Sequence, residues 1–266
     1  MKRIKQQQGK KIYFASDFHM GAPSMEASRE REQQIVDWLD HISKDAQCIF
    51  LVGDIFDFWF EYKQVVPKGF IRLQGKIATL SDSGIDIYFF LGNHDMWMKN
   101  YFAEELGVTM IPNELELDID GKILFVAHGD GLGPGDRGYK FVKKVFRNKF
   151  CQFLFSCLHP RIGLSLAQYF SNKSRIHTGT KDDNYDSKES EWLYQFSKER
   201  LKASPVDYFI FGHRHLPMDI QVSTARYINL GEWMNYATFA TYDEGELDLK
   251  VWSGGSIEEF KGIQES

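Results

Sequence analysis

Apolar positions in this chain come in short bursts, and most bursts stop at a glycine or a polar, metal-binding side chain. Ile12-Tyr-Phe-Ala, Cys48-Ile-Phe-Leu-Val, Ile87-Tyr-Phe-Phe-Leu, Ile123-Leu-Phe-Val-Ala and Tyr208-Phe-Ile-Phe are apolar at consecutive positions. That is the pattern of strands buried on both faces. Strands are therefore expected over residues 10–16, 48–52, 85–91 and 206–211. Between them a helical period takes over. Ile35, Trp38, Leu39 and Ile42 line one face of a helix expected over residues 26–43, and residues 67–80 read as a second helix with Pro67 in its first turn. The chain opens β-α-β, which predicts an α/β fold. Residues 114–118 and 122–127, joined by Asp120-Gly121, predict a hairpin.

After Leu132-Gly-Pro-Gly-Asp136 the pattern changes. Tyr139, Val142, Phe146, Phe150, Phe153 and Cys157 fall three or four apart, an apolar stripe on a helix expected over residues 137–158. Pro160 interrupts it, and residues 162–170 predict a second short helix. Residues 177–187 read as a loop, closing on Asp186-Ser-Lys-Glu189, a capping-box-like start for a helix carrying Trp192, Leu193 and Phe196. Short strands, antiparallel by expectation, run on to Val251. The whole reads as a single domain, residues 1–266, with a helical lid insertion at about residues 131–186.

Composition supports a large core, with 43% hydrophobic and 15% aromatic residues. The formal net charge is −5, but Lys or Arg stands at nine positions (137, 140, 143, 144, 147, 149, 161, 173 and 175) of an acid-free stretch, so the remainder carries −14. A basic block in an acidic chain points to an anionic partner or surface, although charge runs also form solvated helix faces. Nothing in the pattern calls for nucleic acid. Cys48, Cys151 and Cys157 lack a CxxC spacing and read as reduced packing residues. No apolar run approaches the roughly 20 residues of a membrane span. Met1-Lys-Arg-Ile-Lys-Gln-Gln-Gln lacks the apolar core of a secretory signal. A cytoplasmic protein able to touch a membrane surface is expected.

The chemistry lies where the bursts stop. Asp17-x-His19, Asp54-x-x-Asp57, Asn93-His94-Asp95, His128-Gly-Asp130 and His213-x-His215 follow the five strands in turn. Read as extended chain, Asp17-x-His19 and His213-x-His215 each place two ligands on one side. Asp17, His19, Asp54, Asn93, His128, His213 and His215 are too many nitrogen and oxygen ligands for one tetrahedral zinc, and they suit two cations about 3.5–4 Å apart. The lack of thiolates favours Mn²⁺, with Fe or Zn as alternatives. Taken singly, an Asp at a strand end also reads as a helix cap and a His as a packed side chain. His41, His159 and His177 are set aside on that ground.

The ordered series of Asp17-x-His19, Gly53-Asp54-x-x-Asp57, Gly92-Asn93-His94-Asp95, His128-Gly-Asp130 and Gly212-His213-x-His215 resembles the signature of the calcineurin-like metallophosphoesterases, and it spans most of the chain. The resemblance implies a four-layer αββα sandwich with a dinuclear centre at the carboxyl ends of the strands. It assigns Asp17, His19, Asp54 and His215 to one ion and Asp54, Asn93, His128 and His213 to the other, with Asp54 shared. His94 and Asp95 join the catalytic group, His94 near the leaving oxygen, while Asp57 and Asp95 orient the ligands.

Within that superfamily the insertion is similar to the basic, apolar lid of the UDP-2,3-diacylglucosamine diphosphatases. Asp136 and Tyr139 keep that family's spacing after His128-Gly-Asp130, although Asp136 also reads as a helix N-cap and Tyr139 as a place on the packed stripe. The sequence departs in having His94 where better-known members have Arg, and Asn172-Lys173-Ser174-Arg175 only loosely echoes their polar segment after the lid. The resemblance implies hydrolysis of the pyrophosphate of UDP-2,3-diacylglucosamine to lipid X and UMP in lipid A biosynthesis. It implies substrate contacts from Asn93, His94, Asp136, Tyr139 and His213. The expected partners are an amphipathic nucleotide-lipid and, through the basic lid, the anionic inner membrane. The alternatives are a phosphoesterase for another nucleotide, lipid or phosphoprotein, and a binding scaffold that has lost the chemistry.

Overall fold

The computed structural model describes residues 1–134, 137–166, 185–260 and 263–265. Its strands are β1 Lys2–Ile4, β2 Lys11–Ala15, β3 Ala46–Val52, β4 Asp86–Phe90, β5 Thr109–Ile111, β6 Leu115–Ile119 and β7 Lys122–Ala127. They continue as β8 Tyr208–Phe211, β9 Met218–Val222, β10 Ala225–Asn229, β11 Thr238–Asp243, β12 Glu246–Trp252, β13 Ile257–Glu259 and β14 Ile263–Glu265. Two mixed sheets result, ordered β13-β12-β11-β2-β3-β4-β5 and β1-β6-β7-β8-β10-β9-β14.

Alternation along the strands explains the layers. In β3, Cys48, Phe50 and Val52 face a core shared with Leu124, Val126, Ile210 and Ile228 of the other sheet. Ile49 and Leu51, pointing the opposite way, pack under helices α1 (Met25–Ile42) and α2 (Ile71–Asp82). Both faces are apolar because both are covered. The parallel register sets Phe14, Phe50 and Tyr88 side by side on β2, β3 and β4, with ring centroids 4.8 and 4.6 Å apart. The second sheet buries its outer face, including Phe125, Phe209 and Phe211, under Leu193 and Tyr194 of the helix Trp192–Leu201. Helix, sheet, sheet and helix make the expected αββα sandwich.

Several local expectations shift. The helix expected from residue 67 starts at Ile71, because Phe70 is left-handed at φ 54°. The long helix expected over residues 137–158 is two helices, α4 Arg137–Arg147 and α5 Lys149–Ser156. Asn148 divides them: its side chain accepts from the Phe150 and Cys151 amides, so it caps a new helix instead of continuing the old one. The chain is helical again over residues 160–166, and the rest of the second expected helix lies outside the described residues. The capping box at Asp186 and Glu189 does not open the next helix, which starts at Trp192 with Glu191 as an N-cap whose side chain makes no capping bond. The late strands are not all antiparallel: β10 runs parallel to β8 and β14 parallel to β9, while β9–β10 and β11–β12 are antiparallel. The Asp120-Gly121 hairpin forms as expected, both residues at positive φ. The small elements β1, β5, β13, β14 and the short helix α3 (Tyr101–Leu106) carry too few residues to show a period.

Candidate dinuclear metal centre

The centre is built from the carboxyl ends of five parallel-running strands in two sheets. Asp17 and His19 follow β2, Asp54 follows β3, Asn93 follows β4, His128 follows β7, and His213 and His215 follow β8. One detail differs from the extended reading. Asp17, His19, Asp54, His213 and His215 all have left-handed backbone, with φ of 55°, 44°, 52°, 66° and 58°. Each such residue costs on the order of 1 kcal/mol or more and persists only where its surroundings hold it.

Those surroundings are hydrogen bonds between the ligand loops. The Asp17 amide donates to Gly53 O at 3.1 Å and the His19 amide to Asp54 O at 3.0 Å. The His213 amide donates to Asp17 Oδ2 at 3.0 Å, and the His94 amide to Asp54 Oδ1 at 2.8 Å. Gly212 and Gly92 allow this closeness, since a Cβ on either would collide with the carboxylate of Asp17 or Asp54 respectively. His128 Nδ1 lies 3.0 Å from Val52 O, which orients the ring and turns Nε2 toward Asn93 Oδ1 at 3.1 Å and Asp54 Oδ2 at 3.3 Å.

Two clusters emerge, sharing Asp54. Asp17, His19, Asp54 and His215 bring one potential ligand atom each within 4.8 Å of the others, and so do Asp54, His128 and His213. A third cluster joins His19, Asp57 and His94, with Asp57 Oδ1 3.7 Å from a nitrogen of each imidazole. Asp95 is buried, and its carboxylate accepts from the Ile55 and Gly92 amides at 2.9 and 2.7 Å. It therefore braces the backbone on either side of Asp54 and Asn93. Asp136 lies outside the described residues. The Tyr139 hydroxyl donates to Asp130 Oδ2 at 2.9 Å, and its ring centroid lies 6.3 Å from that of His213.

The donor set fits divalent cations. Asp17 Oδ1 and Asp54 Oδ2 are buried oxygens that accept no hydrogen bond, and each faces imidazole nitrogens. Burial opposes protonation of His19 and His128, yet the neighbouring carboxylates push both imidazoles up to about 10. Burial would likewise raise Asp17 and Asp54, but their histidine neighbours hold them below the usual carboxylate range. The pocket thus gathers positive charge around two carboxylates, as protons here and as cations once those protons are displaced. Burial, then the charge of Asp54, raises Asp95 to about 7. Burial and the nearby His128 lower His213 to about 4.

Beside the centre stands an aromatic wall. The Trp97 ring packs on Phe58, Phe60, Phe146 and Phe155 at centroid distances of 6.1, 5.2, 5.4 and 4.7 Å. Its Nε1 donates to Phe146 O at 2.7 Å. Helices α4 and α5 therefore rest on the loops after β3 and β4.

Sequence reasoning passed over the residues that hold the ligands in place. Arg31 is buried in α1 and donates to Phe18 O, His19 O and Ala22 O at 2.8, 2.7 and 2.5 Å. A signal existed, because Arg31 continues the stripe of Ile35, Trp38 and Ile42 back by one turn, a charge where an apolar side chain is expected. Arg214 and Glu191 carried no such expectation either, and Asp130 entered only as part of the His128-Gly-Asp130 motif.

The chain belongs to the calcineurin-like phosphoesterase family, whose profile matches residues 10–217. With its buried His and Asp clusters it is a metallophosphoesterase. It is 39% identical over 254 residues to the UDP-2,3-diacylglucosamine hydrolase of Porphyromonas gingivalis, covering 90% of this chain and 97% of that one. It is 28% identical over 240 residues to the enzyme of the same name from Haemophilus influenzae, covering 88% and 96%. Among solved structures, zinc-complexed Vps29 from Entamoeba histolytica aligns with a TM-score of 0.44 at 12% identity, covering 93% and 96%.

Proposed function

We propose that this chain hydrolyses the pyrophosphate bond of UDP-2,3-diacylglucosamine, giving 2,3-diacylglucosamine 1-phosphate and UMP, a step of lipid A biosynthesis. The observation that carries the reading is the 39% identity with a protein named for that substrate, over nearly the full length of both chains.

Asp17, His19, Asp54 and His215 would hold one cation, and Asp54, Asn93, His128 and His213 the other, with Mn²⁺ preferred by the oxygen and imidazole donors. When bound, such ions lower the pKa of a water toward neutrality and offset phosphoryl charge. The residues of the chain do the positioning. His94 Nδ1 lies 2.8 Å from Asp57 O, which fixes the ring; in this reading the imidazole donates to the departing oxygen. Burial lowers the His94 pKa, and a phosphoryl anion alongside opposes that, favouring the ring that can donate. Tyr139 and Asp136 are assigned to substrate contact in this reading, and the partly exposed rings of Phe58, Trp97 and Phe155 would supply apolar surface for acyl chains.

The same reading gives the insertion a membrane role. Among the described residues no helix is long and apolar enough to cross a bilayer. The insertion nevertheless exposes Phe141, Phe150, Phe153 and Ile162 at 59–68% beside the exposed Lys144, Lys149 and Arg161. Apolar tips among cations suit the surface of an anionic bilayer.

Incubating the protein with UDP-2,3-diacylglucosamine and Mn²⁺, then following UMP by mass spectrometry, tests the proposal. Release of UDP instead of UMP would place the cut at another bond and refute it. Equal turnover of a soluble nucleotide pyrophosphate would remove the lipid from the assignment.

A further inference from the structure

We infer that the buried Glu191–Arg214 pair is a positioning device for the metal centre, setting His213 and His215 by tying their loop to the root of the helical insertion. The inference rests on the dinuclear reading of that centre. Arg214 is the residue between the two histidines, and both histidines have left-handed backbone at φ 66° and 58°. Its guanidinium is 3% exposed and grips Glu191, also 3% exposed: Nε donates to Oε2 at 2.9 Å and Nη2 to Oε1 at 2.7 Å. This two-point geometry fixes the orientation of the whole arginine, which a single contact would not.

The register continues one residue further. Trp192 takes the Arg214 guanidinium over its ring at 5.2 Å and meets the His213 ring edge-on at 6.3 Å. Glu191 and Trp192 thus hold Arg214, and the same Trp192 ring that lies against its guanidinium also meets the His213 imidazole. Glu191 and Trp192 open the first helix after the insertion. The Glu191 carboxylate makes no N-capping bond, since it is given over to Arg214. The other end of the insertion is fastened alongside. Tyr139 Oη and Lys143 Nζ lie 2.9 and 2.5 Å from Asp130 Oδ2, two residues after His128, and Gly133 packs so closely on the Trp192 carbonyl that a Cβ would not fit. Both roots of the insertion converge on the loops that carry His128 and His213.

A bidentate pair could also serve stability alone, and the test separates the two roles. The full-length protein is stripped with EDTA and titrated calorimetrically with Mn²⁺, and its melting temperature is measured without metal. Arg214→Met leaves a buried unpaired carboxylate, so it lowers the melting temperature and weakens Mn²⁺ at one site at least tenfold, the range expected when a partner that orients ligands is lost. The double variant Glu191→Leu with Arg214→Met has no unpaired charge, so its melting temperature recovers while Mn²⁺ stays at least tenfold weaker. Arg214→Lys, which keeps the charge and loses the fork, falls between. Wild-type affinity in the double variant would overturn the inference and leave the pair a stabilising contact. A wild-type protein that takes up no Mn²⁺ would overturn the dinuclear reading, and this inference with it.

Discussion

Arg31 offers a demanding test of how the strained ligand loop is held. Its guanidinium, 7% exposed, serves three backbone carbonyls of the loop that carries His19. Arg31→Met keeps most of the side-chain volume and removes every donor. His19 O also accepts from the Ala22 amide at 3.1 Å, so the substitution strips the donor from two carbonyls, Phe18 O and Ala22 O. A buried acceptor left without a partner costs about 1–3 kcal/mol, so two give about 2–6 kcal/mol as the full range. The loop between β2 and α1 can shift and admit water, which places the expected loss in the lower half, about 2–4 kcal/mol. That is a large share of the roughly 5–15 kcal/mol by which domains are stable. Urea unfolding followed by tryptophan fluorescence reads it directly, because Trp38 and Trp233 pack near Phe18 at 6.3 and 5.1 Å. Arg29→Met, at an exposed position of the same helix, serves as the control and should stay within about 0.5 kcal/mol of wild type. Mn²⁺ affinity should fall along with stability, since the loop that carries His19 loses its guanidinium clamp. A loss below about 1 kcal/mol for Arg31→Met would show that the Phe18 and Ala22 carbonyls are satisfied otherwise and that the clamp argument is wrong.

Asp54→Asn keeps the side-chain oxygen that accepts from the His94 amide, so far-UV circular dichroism should match wild type while hydrolysis of any phosphodiester drops to background; retained turnover would contradict the shared-ligand assignment. Removing metal with EDTA should lower the melting temperature, and adding Mn²⁺ at about 1,000 times its Kd should restore about 4 kcal/mol per site, a gain that Asp54→Asn should largely lose. Cys48 is buried in the inter-sheet core, and burial, then Asp86, pushes its thiol up to about 12 from 9.0. The unfolded chain therefore deprotonates there first, so this contribution to stability is intact below pH 9 and is lost as pH rises toward 12. At pH 8 iodoacetamide should alkylate the exposed Cys157 and leave Cys48 unmodified until the protein unfolds, which peptide mass mapping would show.

What could be read from the sequence follows from where each kind of information is stored. Strands buried on both faces announce themselves as apolar runs, and ligands are side chains of a few chemical types, so Asp17, His19, Asp54, Asn93, His128, His213 and His215 could be found and their convergence anticipated. Their backbone could not. An Asp or His at φ near 50° looks the same in sequence as one in a strand, and the extended reading of Asp17-x-His19 failed for that reason. The long helix over residues 137–158 failed in a related way, because a stripe of apolar residues persists across Asn148 although the hydrogen bonding is reset there. Arg31 and Arg214 were overlooked because a charged residue is ordinarily assigned to solvent, while their partners are three carbonyls in one case and a carboxylate 23 positions away in the other. These facts belong together. Five candidate ligand residues in left-handed backbone need rigid supports close by, and buried arginines supply fixed, multi-point donors better than neutral side chains do. The supports for such a centre should therefore be sought as charged residues on apolar stripes or between paired histidines, where the ordinary rule for placing charge fails.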